Sequence, residues 1–103
     1  MSKNENRSRG KHPIQVAARR SGLTADVIRA WERRYNAVEP ERSGTNRRLY
    51  SDDDIERLLL LSNVTRAGRR IGDVAALPLD DLRAMAAEDK QAAGRISPPG
   101  YSR

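Results

Sequence analysis

Between Val27 and Tyr35 the apolar residues Val27, Ile28, Trp31 and Tyr35 recur at intervals of three and four. That is the period of a helix with one buried face. Thr24 offers a hydroxyl at the N-cap position, and Asp26 puts a carboxylate in the first turn, where the helix dipole favours it. Asp26, Arg29, Arg33 and partly Arg34 point the other way, as a mostly cationic strip. Upstream, residues 15–21 are predicted as a short helix with Val16, Ala17 and Arg20 at helical spacing. Ser21-Gly22-Leu23 breaks it, glycine being the residue that ends helices through positive φ. Two short helices across a glycine turn make a helix-turn-helix, a pattern that many core helix pairs share.

Residues 36–50 lose the helical period. Pro40 opens the segment, Ser43-Gly44-Thr45-Asn46 is a turn cluster, and Arg47-Arg48-Leu49-Tyr50 reads as a strand. Two short strands around that turn form a hairpin, or wing, with Arg47 and Arg48 at its tip and Arg42 beside them. Ser51-Asp-Asp-Asp54 then starts a helix, with a hydroxyl cap, an acid three residues on and further carboxylates at the positive dipole end. The aspartates are read as helix-start residues rather than metal ligands. Ile55, Leu58, Leu59 and Ser62 are the predicted buried stripe, and the helix should stop near Gly68, leaving Arg69 and Arg70 in a loop. A short helix over 71–77 points Val74 and Leu77 inward and ends before Pro78. A thin helix over 79–93 has Leu79, Leu82 and Ala86 as its stripe.

The predicted fold class is mainly α with a small β-hairpin, a winged helix-turn-helix. Its organisation is a disordered basic arm over 1–11, the winged domain over 12–78, a short C-terminal helix over 79–93, and a linker or disordered tail over 94–103. His12-Pro13 is extended, since the residue before proline is pushed out of the helical region.

Charge sharpens this picture. The 103 residues carry a net charge of +6. Residues 1–50 hold 12 Lys/Arg against 5 Asp/Glu, whereas residues 51–103 hold 8 against 9. A cationic half beside a neutral half fits a polyanionic partner, or simply a soluble basic surface. An arginine strip on a helix locked by a tryptophan suits the major groove of DNA, and a basic hairpin suits the minor groove. The arm over 1–11 either reaches neighbouring phosphates or only aids solubility.

There is no cysteine and a single histidine, His12, so thiolate metal sites and disulfides are excluded and His12 is expected to stand outside any catalytic or metal site. The longest apolar run, residues 58–61, is far too short to span a bilayer. No secretory leader pattern is present, so a cytoplasmic, nucleoid-associated protein is expected. No nucleophile–base pair or phosphate-cradling loop can be assembled, which argues against an enzyme.

Taken jointly, these motifs resemble a known family. The order is Ile28-Arg-Ala-Trp-Glu-Arg-Arg-Tyr35, Pro40-Glu-Arg42, Gly44-Thr-Asn-Arg-Arg-Leu-Tyr-Ser51-Asp, a leucine helix, Ala67-Gly68, and Ile71-Gly-Asp-Val-Ala75. It resembles the winged helix-turn-helix DNA-binding domain of MerR-type transcription regulators over residues 12–82. The Trp-Glu-Arg-Arg-Tyr form is most similar to the branch whose longer members carry a cobalamin-binding sensor domain, which these residues do not include. The resemblance implies that Thr24, Asp26, Arg29 and Arg33 lie on the recognition helix, with Arg29 reaching DNA. It implies that Arg47 and Arg48 are the wing-tip pair, that Arg42 and Tyr50 lie near the DNA backbone, and that Arg69 and Arg70 sit in a second wing. Trp31 is a core residue or, through its indole N–H, a phosphate contact. Glu32 and Arg34 make an intradomain salt bridge or touch DNA.

The leading expectation is a sequence-specific DNA-binding transcription regulator, repressor or activator, acting on double-stranded DNA with no cofactor in this chain. RNA polymerase at a promoter is a further candidate partner, and no membrane partner is expected. An excisionase-like architectural DNA-binding protein is the alternative within nucleic-acid binding. A protein-interaction module meeting an acidic partner is the alternative from another class. Metal-sensing members of the family use cysteines, absent here, and the helix over 79–93 supplies only about two weak heptads for a coiled-coil dimer. The chain is therefore expected to be monomeric in solution, pairing on DNA or through a missing domain, as the DNA-binding piece of a longer regulator or a short member without a sensor.

Overall fold

Pro13 stands just outside the first helix, α1 (Ile14–Ser21), with φ −70° and ψ 168°. Its lack of an N–H costs nothing where the first donors have no helical partner. α1 closes on Gly22, at φ 77°, whose N–H returns to the Ala18 carbonyl at 3.0 Å. A side chain in that left-handed conformation would be strained, so glycine sets the turn. Thr24 Oγ1 then accepts the Val27 N–H at 3.2 Å and starts α2 (Ala25–Tyr35). The helix ends on Asn36 at φ 53°, asparagine being one of the few residues that tolerate that conformation.

This computed structural model describes residues 10–42 and 47–95. The first nine residues of the expected arm, the turn at 43–46 and the tail after 95 lie outside the described residues. β1 (Glu41–Arg42) and β2 (Arg48–Leu49) pair antiparallel, Glu41 opposite Leu49 and Arg42 opposite Arg48. The hairpin gains a third rung from the other end of the chain. Tyr50 N–H donates to the His12 carbonyl at 2.7 Å, and the N–H groups of Lys11 and His12 both donate to the Tyr50 carbonyl at 3.0 Å. Gly10 lies so close to the Leu49 backbone that a Cβ there would collide with it. Gly10 and Lys11, assigned to the arm on sequence, are thus fixed on the hairpin.

Ser51 and Asp54 form the predicted capping box: Ser51 Oγ accepts the Asp54 N–H at 2.9 Å and Asp54 accepts the Ser51 N–H at 3.0 Å. It opens α3 (Asp52–Arg66), the central helix, which packs against α1 on one side and α5 on the other. Its buried residues are Ile55, Leu58, Leu61, Ser62 and Val64. The narrow stripe read from sequence is corrected at Leu59, which is 39% exposed. A helix clasped from two sides buries a broad arc, and Leu59 falls on the remaining side.

α4 (Ile71–Val74) is a single turn, shorter than the 71–77 predicted, although Leu77 still packs inward. α5 (Leu79–Arg95) runs two residues beyond the 79–93 predicted, through Gly94. One cluster joins Ala17, Ile28, Val38, Tyr50, Ile55 and Leu58; a second joins Ala37, Leu61, Val64, Val74, Ala75 and Leu82. Trp31 packs against both, which places it in the core. Arg57 of α3 binds the seam: Nε donates to the Ala37 carbonyl and Nη1 to the Leu77 carbonyl, each at 2.6 Å, and Nη2 donates to the Ala75 carbonyl.

Candidate nucleic-acid interface

α2 turns Ile28 and Trp31 into the core, which leaves Asp26, Arg29 and Arg33 toward its outer side. Asp26 is 94% exposed as a side chain, and its Oδ1 accepts from Arg29 Nη1 at 3.2 Å. Arg33, one turn on from Arg29, is exposed. Glu32, on the flank of α2 nearer the hairpin, is only 11% exposed and is bound by two residues of the β2 end. Arg48 Nε donates to its Oε1 at 3.0 Å, and the Tyr50 hydroxyl donates to its Oε2. Of the two roles left open for Glu32, the structure therefore shows the intradomain salt bridge.

Two clefts adjoin these residues. One, about 200 Å3, is lined by Pro13, Ile14, Gln15, Arg29, Arg47 and Arg48. The other, about 270 Å3, is lined by Arg29, Glu32, Arg33, Asn36, Val38, Pro40 and Arg48. Arg29 and Arg48 line both. Ile14 and Gln15 open α1, so the positive end of a helix dipole borders the first cleft as well. Helix and hairpin thus border two clefts that share arginines, a setting whose field favours anions.

The other sequence-predicted residues divide. Thr24 is exposed at the start of α2, with its hydroxyl committed to the cap. Arg42 is the register partner of Arg48. Arg48 was expected at the wing tip, but it lies within β2, where Glu32 holds its Nε. Tyr50 was expected near the DNA backbone, yet it is 0% exposed and belongs to the first core cluster. Burial, then the hydrogen bond to Glu32, pushes its hydroxyl well above the usual tyrosine range. It stays protonated and remains a donor.

Arg69 and Arg70 lie apart from this face, on a cleft of about 530 Å3 with Gly68, Asp73, Val74, Leu77 and Met85. Arg70 is exposed, but Arg69 is clamped: Nε reaches Asp89 Oδ2 at 3.0 Å and Nη2 reaches Asp89 Oδ1 at 2.8 Å. That contact raises the pKa of Arg69 and lowers that of Asp89. His12 gains a structural partner, with Nε2 2.8 Å from Asp52 Oδ1, and this hydrogen bond, foremost, holds Asp52 below the usual carboxylate range. Sequence reasoning gave no signal for the wall formed by Ile14 and Gln15, since neither is charged.

Among the described residues no group of three His, Cys, Asp or Glu could hold a metal ion, and no helix is long and apolar enough to cross a membrane. A helix-turn-helix with a basic hairpin beside its second helix is a winged helix-turn-helix, the class that the fold and this face define. The chain belongs to the MerR HTH family of regulatory proteins, which residues 13–77 match. Among curated proteins it is similar to the HTH-type transcriptional repressor CarH of Myxococcus xanthus, 39% identical over 64 residues, or 62% of this chain and 21% of that protein. It is also similar to the HTH-type transcriptional repressor CarA of the same organism, 46% identical over 44 residues, or 42% of this chain and 15% of that protein. The chain spans about a fifth or less of the length of these relatives.

Proposed function

We propose that this chain is the DNA-binding unit of a transcription regulator, with α2 in the major groove and the hairpin against the backbone or the neighbouring minor groove. One observation carries the reading: Arg29, Arg33, Arg47 and Arg48 line adjoining clefts on a single face, two of them shared. The arginines of α2 and the hairpin grip phosphates and set register, and Arg29 reads base edges. The name repressor attached to both relatives fits a unit that occupies a promoter and obstructs transcription. RNA polymerase is then the protein whose access it controls.

Within this reading Arg70 adds a phosphate contact from the second loop, and Asp26 holds Arg29 until DNA displaces it. Tyr50 acts through Glu32 rather than by touching DNA. The decisive experiment is DNA selection with the purified chain against random duplexes. Recovery of a defined motif is expected; recovery of random sequence, with no enrichment, overturns the proposal.

A further inference from the structure

The acids on the arginine face are placed in pairs with its bases. Asp26 takes Arg29 on the solvent side of α2, and Glu32 takes Arg48 across to the hairpin. The two pairs differ in kind. Asp26 is 94% exposed, and a phosphate can displace it from Arg29 with little rearrangement. Glu32 is 11% exposed, both of its oxygens are occupied, and both partners come from one two-residue strand and the tyrosine after it. Beyond its end, where Tyr50 is paired with His12, β2 has only the hairpin itself to fix the outward course of its side chains. Its ladder to β1 is only two residue pairs long, and a hairpin of that length does not hold its own geometry in water.

We infer that Glu32 is a positioning residue for DNA reading: it locks the hairpin to α2, so that Arg48 and Arg29 meet the duplex at a fixed separation. This rests on the DNA-binding reading above. Nε of Arg48 is consumed by Glu32, so only the Nη edge of the guanidinium is left for the duplex. The planar fork allows no other approach while that contact lasts. Tyr50 holds the second oxygen from inside the core, so the carboxylate cannot swing away with Arg48. Arg29 lies one turn before Glu32 on the same helix, and the two residues border the same cleft. Fixing Arg48 against Glu32 therefore fixes it against Arg29.

A lock of this kind has a signature that a merely structural residue lacks. Glu32 opposes the approach of phosphates by its charge while enforcing the spacing that distinguishes one sequence from another. Removing the charge should therefore move affinity and specificity in opposite directions. Glu32→Gln keeps the size of the side chain and one carbonyl acceptor. Expected for E32Q are tighter binding to random duplex, a log–log salt slope steeper by up to about one, and a ratio of preferred to random DNA that falls about tenfold. R48K, which keeps the charge but not the fork, should show the same loss of ratio without the gain on random duplex. The double variant E32Q/R48K should lose little more than either alone, because both break one contact.

The measurement is fluorescence anisotropy of the full chain with the selected duplex and with a random duplex, across a salt series, with circular dichroism to show that each variant is folded. An unchanged ratio in folded E32Q overturns the inference, as does a parallel loss on both duplexes. If E32Q is too unstable to assay, R48K carries the test by the same ratio. A wild-type chain that prefers no duplex refutes the DNA-binding reading itself, which is a different result from an unchanged ratio in the variant.

Discussion

Arg69 and Asp89 face each other in a two-point contact, Nε to Oδ2 at 3.0 Å and Nη2 to Oδ1 at 2.8 Å. The arginine comes from the loop after α3 and the aspartate from α5, so the pair ties the C-terminal helix to the rest of the fold. Two-point geometry makes it more than an ordinary surface ion pair. Arg69→Ala should therefore lower thermal stability more than Arg70→Ala, and should alter DNA affinity less than Arg29→Ala. Thermal melts and binding isotherms of the three variants check this. A selective loss of binding in Arg69→Ala, with stability intact, would return Arg69 to the DNA-contacting set.

Arg57 presents a second stability test. It satisfies the carbonyls of Ala37, Ala75 and Leu77 with one guanidinium, and burial lowers its pKa. Leaving buried carbonyls without donors costs about 1–3 kcal/mol each, although the three losses will not add in full. Arg57→Ala should destabilise the domain by roughly 3 kcal/mol or more by that reckoning, and Arg57→Lys should recover only part, since an ammonium cannot span three acceptors in a plane. Urea denaturation of both variants gives the comparison.

Acid should loosen the fold from particular places. His12 lowers the pKa of Asp52, Arg83 that of Glu56 and Arg69 that of Asp89. Each folded pKa lies below its unfolded value, so the stability these groups contribute is complete above the unfolded values and is lost as pH falls through the folded ones. Asp54 runs the other way: burial raises its pKa, and protonation relieves that penalty as pH falls. The urea midpoint should stay level down to about pH 5 and decline below about pH 4. Glu56→Gln with Asp89→Asn should flatten that decline, and an unaltered curve would place acid sensitivity elsewhere.

Binding to DNA should depend steeply on salt. If the face neutralises about four to six phosphates, the slope of log affinity against log salt should be roughly −4 to −5. Arg29→Ala should relax discrimination at one or two positions, by about 1–3 kcal/mol for a lost bidentate guanine contact. Arg33→Ala, which removes a charge with no partner bonded to it among the described residues, should weaken all sequences alike. A slope near zero at a selected site would remove nucleic acid as the partner.

Free in solution, the chain should be a monomer. α5 turns Leu82, Met85 and Ala86 inward, Leu82 fully buried and the other two against the second cluster. Asp80, Asp81, Ala84, Ala87 and Glu88 are among those it leaves outside. So little apolar surface, at about 25 cal/mol per Å2, does not offset the entropy lost on association. Sedimentation equilibrium at micromolar concentration should give the mass of one chain, with pairing only on DNA that offers adjacent sites. A tight dimer without DNA would show that α5 buries a partner.

What the sequence disclosed follows the range of the forces involved. The caps at Thr24 and Ser51, the glycine turn and the inner face of α2 are written within a few residues, and each was legible. Leu59 was misread because α3 is packed from two sides, and periodicity alone does not reveal how many neighbours a helix has. The resemblance put Tyr50 near the DNA backbone, whereas the structure buries it. Its burial depends on Glu32, 18 positions away, and on a rung with His12. Arg57 sits in a helix rich in charge, and nothing in its neighbours marks it as an arginine turned toward three backbone carbonyls. A salt bridge of Glu32 was one of the two roles open to it on sequence, but neither its partner Arg48 nor the clamp of Asp89 on Arg69 was legible.

Trp31 is shared by both halves of the core, whereas Asp26, Arg29 and Arg33 on the same helix belong to neither cluster. The helix is thus divided lengthwise into a side that the whole domain depends on and a side that answers only to what it meets. Changes on the outer side can accumulate without renegotiating the fold. A scaffold divided in this way can diverge to new target sequences, one substitution at a time, at little cost to its core.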